Sequence, residues 1–248
     1  MAGTAGDATP LETALVALAR ASVETPALLS PRALEPVRAL AGDGALDYAL
    51  VLGAFHFINR IADLLGVDPD ALPPALRRLE PVRRAGVWLA SRLVRRMDLR
   101  NRPDRTDWDA AVAAVAAAAG AVAPAALEPL RPRPKLVEAI GLALAERDRT
   151  TLDRATLARV HRGVEAALPR EPGDARGLHA RPADPVDAFV FVGTRYPARV
   201  GAAMIRRLRA AGFDDLGLLD LATAVADANQ WARLHRLLGL PPALFRVA

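Results

Sequence analysis

The sequence predicts an all-α protein, a multi-helix bundle containing two related helical repeats, and three observations carry that expectation. Apolar residues recur at intervals of three and four almost throughout the 248-residue chain, as amphipathic helices require. The one run with strand character, Phe189-Val190-Phe191-Val192, is too short and isolated to specify a sheet. A helical pattern near the N-terminus also recurs near the C-terminus, the signature of an internal repeat.

In chain order, helical spacing covers Thr13 to Val23 and then Ser30 to Ala41, where Ser30 before Pro31 reads as an N-cap with proline in the first turn. From Asp47 to Gly66, Leu50, Gly53, Ala54, Phe57, Ile58, Ile61 and Leu65 form one stripe with Arg60 and Asp63 off it, and Gly66 closes the helix. Further helices are expected over Leu76 to Met97, Asp107 to Val122, Lys135 to Arg147, Arg154 to Leu168, Asp184 to Gly193, Arg199 to Ala211 and Asp215 to Leu238. Two stretches read as linkers: Ala123 to Lys135, with four prolines, and Pro169 to Pro185, which mixes Pro, Gly and charge.

Composition excludes several kinds of chemistry. The chain has no cysteine, so it holds no disulfide, zinc ribbon, iron–sulfur ligand or thiol nucleophile. Lys135 is the only lysine among 33 basic residues, and the net charge is only +5. The arginines are interleaved with acids, as in Arg100, Arg102, Asp104 and Arg105, rather than gathered on one surface, which disfavours nucleic-acid recognition. The N-terminus lacks the pattern of a secretory signal, and the Ala-rich run Asp109 to Leu127 falls short of a membrane span, so a soluble cytoplasmic protein is expected.

The repeat aligns Val16 to Val67 with Ala188 to Leu240. Glu24-Thr25-Pro26-Ala27 falls on Arg195-Tyr196-Pro197-Ala198, and after a two-residue adjustment Leu46-Asp47 falls on Leu219-Asp220, Arg60-Ile61 on Arg233-Leu234, and Leu64-Leu65-Gly66-Val67 on Leu237-Leu238-Gly239-Leu240. The expected organisation is a first repeat over 1–75, a central helical segment over 76–168, a linker over 169–185 and a second repeat over 186–248.

The stretch Leu40 to Asp68, with its core AFHFINRIADLLGVD, resembles the closing helix of alkylhydroperoxidase D-like (AhpD-like) proteins of the carboxymuconolactone decarboxylase superfamily. The second copy, Leu208 to Leu240, resembles the same region, with Ala232-Arg233 where the family has Asn-Arg. The resemblance implies a helical, self-associating protein. Thiol peroxidases of that family carry a Glu, a Cys-x-x-Cys and a His. With Glu138 on the family's Glu, Thr150, Asp153 and Leu157 occupy the two Cys and the His positions, so this segment would be a degenerate form of that helix and the redox centre is absent.

Three candidate catalytic residues follow: His56 and Arg60, one turn apart on a helix, and Glu138. His56 could carry a proton and Arg60 or Arg233 could hold a carboxylate; equally, Asn59-Arg60 could bridge helices as architecture. Neither a His/Asp/Glu metal spacing nor a glycine-rich phosphate cradle occurs, so no metal or cofactor is expected. His161, His179 and His235 read as singletons, and Trp88, Trp108 and Trp231 as packing residues. The leading expectation is a non-catalytic scaffold or small-ligand-binding pseudoenzyme, with a small carboxylate as possible ligand. The alternatives are a cysteine-independent lactone-type decarboxylase using His56 and Arg60, and a basic nucleic-acid-binding module.

Overall fold

The helices begin where short polar side chains can take up free backbone N–H groups. Thr9 forms a capping box with Glu12 ahead of Pro10, Asp153 accepts from Thr156 N, Asp184 from Val186 N and Asp187 N, and Asp214 from Gly217 N. Ser30 stands at an N-cap before Pro31, as the sequence predicts, but its hydroxyl makes no capping bond. The structure, a computed structural model, describes residues 8–66, 106–119, 124–146, 150–172 and 182–245. The described residues are all-helical: α1 (Pro10–Glu24), α2 (Pro31–Ala41), α3 (Gly44–Leu65), α4 (Trp108–Ala119), α5 (Pro134–Glu146), α6 (Arg154–Ala167), α7 (Pro185–Arg195), α8 (Ala202–Ala210) and α9 (Asp215–Leu238). The helix expected over Leu76 to Met97 lies outside the described residues, as does Trp88.

Of the two readings of the first linker, a boundary within the helical assembly or a mobile loop, the structure fits the former. The proline-rich stretch Ala123 to Lys135 contains a 3-10 helix, Pro124–Leu130, that buries Leu127 and Leu130 completely. Proline fits the first residue of such a helix because its missing N–H would be unbonded there, so the prolines shape a packed element rather than a loose tether. The strand-like run Phe189 to Val192 lies inside α7; Phe189, Val190 and Val192 are buried there, which explains why periodicity is lost locally.

Architecture repeats along the chain. Helix α1 ends at Thr25 with φ −136° and ψ 49°, and α7 ends at Tyr196 with φ −143° and ψ 58°; each leads into a three-residue 3-10 turn that starts at proline, Pro26–Leu28 or Pro197–Arg199. A short helix follows, then a tight turn through Gly42 or Gly212. The unit closes with a long helix, α3 or α9, that ends at a left-handed glycine, Gly66 or Gly239.

The core is shared between these units. One apolar cluster joins Leu34, Val37 and Ala49 of the first unit to α4 and α5 and to Leu234 and Leu237 of α9. The second joins Leu64 of α3 to α6, α7, α8 and α9. Helices α3 and α9 cross closely because Gly53 leaves room for Leu234: a Cβ at Gly53 would stand 2.8 Å from Leu234 Cδ1. Ion pairs hold the outer helices in place. Arg133, before α5, donates to both carboxylate oxygens of Asp47, and Arg159 of α6 reaches Asp184 and Asp187 at 2.6 Å each.

Among the described residues, α3 is long and apolar enough by length and composition to cross a membrane, with a mean hydropathy of 1.3 over its most apolar window. Gly53→Leu is expected to destabilise the fold by about 1–3 kcal/mol through overpacking at the crossing. Gly44→Ala, whose Cβ would meet its nearest neighbour at an ordinary 3.8 Å, is expected to change stability by less than about 0.5 kcal/mol. Urea unfolding of the two variants checks the contrast.

Candidate functional site

Two arginines occupy the centre of the molecule. Arg60 of α3 and Arg233 of α9 stand at matching positions of the two long helices and are 8% and 3% exposed. Neither guanidinium is paired to a carboxylate. Arg60 donates through Nη1 to the carbonyls of Gly193 and Thr194 at the end of α7, and Arg233 donates through Nε to the carbonyl of Ser22, 3.0 Å away, in the last turn of α1. Gly193 and Ser22 are themselves matching positions in the alignment of the repeats. Each long helix therefore sends its arginine to the C-terminal carbonyls of the other unit's first helix, where the helix dipole favours a cation.

His56 and Asn229, again matching positions, complete this polar centre. Ser22 Oγ donates to Ala19 O at 2.7 Å and lies 2.8 Å from His56 Nε2. A hydroxyl has one hydrogen, so the neutral His56 donates to Ser22 from Nε2. Asn229 donates to Thr194 Oγ1 and Val225 O, and its oxygens accept from Arg233 Nη1. Burial, then the charges of Arg233 and Arg60, pushes the His56 imidazolium pKa down to about 3. Burial also lowers Arg60 to about 10, against the pull of Asp63, and carries Arg233 well below the usual guanidinium range, with Arg60 and Arg236 adding to the effect.

The structure therefore brings His56 and Arg60 into one cluster, where His56 Nε2 and Arg60 Nη1 bond protein partners while Arg60 Nε is buried without one among the described residues. Glu138 is exposed on α5, outside that cluster. Thr150 donates to Asp220, Asp153 caps α6, and Leu157 is buried in the second apolar cluster. Glu138 thus lies on α5, Thr150 and Asp153 in the segment between α5 and α6, and Leu157 on α6.

A cavity of about 540 Å³ opens elsewhere, between α6 and α9 and closed at one end by Pro242. Its walls carry His161, Arg162, Glu165, Trp231 and His235, with four alanines supplying the rest of the two helix faces. Glu165 lies 3.3 Å from His235 Nε2 and is gripped by both terminal nitrogens of Arg236. Its burial raises the carboxyl pKa, but hydrogen bonds from His235 and Arg236 and their charges outweigh that and bring it down to about 2. Glu165 is therefore ionised and already neutralised. Arg162, exposed at the cavity wall, has no ion-pair partner among the described residues. No group of three or more potential metal ligands occurs among the described residues.

Sequence reasoning missed this site because its residues are scattered and each one suits a polar helix face. The signal that was available is the spacing of His161 and Glu165, four apart on α6, and of Trp231 and His235, four apart on α9. Trp231 is buried in the core as expected, but it also forms part of the cavity wall. Comparison with family models, curated proteins and solved structures finds no match to this chain.

The depressed His56 pKa has a consequence for stability. Between pH 6.5 and about 3 the unfolded chain binds a proton at His56 that the folded chain excludes, so His56 favours folding fully above pH 6.5 and progressively less as the pH falls. From pH 6.5 to 5 the unfolding free energy is expected to drop in the wild type and to drop less in His56→Gln, as measured by urea titration at each pH. Arg60→Met and Arg233→Met, which orphan the helix-end carbonyls, are each expected to cost about 2 kcal/mol.

Proposed function

We propose that this protein binds a small carboxylate with an apolar or aromatic body in the cavity between α6 and α9, as a non-catalytic, cysteine-free binding protein. One observation carries the reading: a cavity with Trp231 and four alanines in its walls holds a cation, Arg162, that has no ion-pair partner among the described residues and stands beside two histidines, while the cavity's own carboxylate is neutralised internally. The volume falls within the range of small-molecule sites, and apolar walls with a few convergent polar groups are their usual composition. Arg162 would take the carboxylate, and Trp231 with the alanines would cover the apolar body. His161 and His235 supply further hydrogen-bonding positions on opposite walls.

The AhpD-like resemblance is compatible with this reading at the level of an all-helical chain, and the absence of cysteine removes the thiol chemistry of that family. The catalytic alternative built on His56 and Arg60 receives less support, because Arg60 is engaged with two backbone carbonyls and neither residue lines the cavity.

Benzoate, phenylacetate and indole-3-acetate, titrated against the purified protein by calorimetry, test the proposal. At least one is expected to bind, more than tenfold more tightly than its neutral amide, with Arg162→Ala abolishing that preference and Ala228→Trp closing the cavity. Equal binding of acid and amide, or of wild type and Arg162→Ala, would overturn the reading. A second measurement follows from the missing thiols: consumption of cumene hydroperoxide with dithiothreitol is expected to match that of buffer.

A further inference from the structure

Helix α3 presents an apolar stripe to solvent. Val51, Phe55, Ile58 and Leu65 are 52%, 60%, 58% and 44% exposed, and Ala62 continues the line between Ile58 and Leu65. The spacing along 51, 55, 58, 62 and 65 is four, three, four, three, which is the seam of a helix that pairs with another helix. The matching positions of α9 are Ala224, Ala228, Trp231, His235 and Leu238, and the last four of these are buried. Ala228, Trp231 and His235 form the wall that faces α6 across the cavity. In the second unit a helix lies over this face; over the same face of the first unit none of the described helices does.

We propose that the α3 stripe is an interface between two copies of this chain, joined as an antiparallel pair of α3 helices about a twofold axis near Ile58. Two features of the stripe select a second copy as the occupant. The first is charge. Of the side chains on α3 that are charged at neutral pH, Arg60 is buried against α7 and Asp47 is held by Arg133, which leaves Asp63 beside the stripe, His56 being neutral. Nothing there would attract a nucleic acid or an anionic lipid surface. In an antiparallel pair centred on Ile58 the two Asp63 carboxylates stand about 15 Å apart along the axis, beyond the screening length at physiological salt.

The second feature is area. The four exposed side chains leave roughly 100 Å² each, or about 400 Å² per copy, the size of an apolar patch that on a monomer carries a function. Pairing two stripes covers about 800 Å², and the bordering Ala54, Asn59 and Ala62 bring the contact toward the roughly 1,200 Å² at which specific interfaces begin. The interface is isologous, so each copy supplies the same residues and the assembly closes at two. The proposal stands independently of the ligand cavity.

Sedimentation of the full chain from 5 to 200 µM tests it. A concentration-dependent monomer–dimer equilibrium is expected, with Phe55→Glu shifting the protein to monomer at 200 µM and leaving the thermal unfolding midpoint unchanged at a concentration low enough for the wild type to be monomeric as well. Because the chain has no cysteine, a single introduced thiol reports geometry directly: Ile58→Cys is expected to give a disulfide-linked dimer on oxidation, and Leu142→Cys, 63% exposed on α5, is not. A wild-type monomer at 200 µM would overturn the proposal. So would a Phe55→Glu variant that melts at lower temperature than a wild type diluted to monomer, which would show the stripe covered by the chain's own residues, or a monomer that floats with neutral phosphatidylcholine vesicles through Phe55, which would make the stripe a lipid contact.

Discussion

The structure depends on the reciprocal exchange of two buried guanidinium groups between its two helical units. A cation taken out of water normally needs an anion, yet Arg60 and Arg233 are held by backbone carbonyls at the ends of α7 and α1. This arrangement works because the last turn of a helix leaves carbonyls unbonded and negatively polarised, so two costs of folding, the buried cation and the unsatisfied helix end, offset each other. The neighbouring side chains follow from it. His56 is neutral because it is buried and two cations stand beside it, and Asn229 is oriented by the Arg233 guanidinium it accepts from. Helix α3 approaches α9 closely enough for the exchange because Gly53 gives way to Leu234.

Much of this fold is legible in the sequence, for definable reasons. Helix positions follow from apolar periodicity, and their ends from Asp153, Asp184, Gly66 and Gly239, whose capping roles are local. The matching of Arg60 with Arg233 is visible in an alignment of the two repeats, but what each arginine bonds is not, since a carbonyl has no side-chain signature and the acceptors lie 133 and 211 residues away. The same limit hides the cavity: His161 and Glu165 look like an exposed helix face until α9 is laid against them. Leu127 and Leu130 go unnoticed because prolines dominate the reading of their segment, although proline is compatible with the 3-10 turn that buries them.

The two units satisfy one architecture with different chemistry. Ser22 and His56 fill the space that Gly193 and Asn229 fill in the other unit, with Thr194 as the partner of Asn229. The contrast is sharper on the outer faces of the long helices: Ile58, Ala62 and Asp63 on α3 match Trp231, His235 and Arg236 on α9. One face is apolar and uncovered by any of the described helices; the other is polar, aromatic and roofed by α6. The polar centre keeps the units together, and the outer faces are where they have diverged.

The arginine exchange also governs the order in which the chain acquires its structure. Arg60 emerges from the ribosome 133 residues before Gly193, and the Ser22 carbonyl waits 211 residues for Arg233. Until the second unit has been synthesised, the first unit holds a cation without its acceptor and a helix end without its donor. Contacts so distant in sequence incur a large loop-closure entropy, which slows the final docking step. The first unit therefore completes its polar centre only once the second unit is available to dock against it.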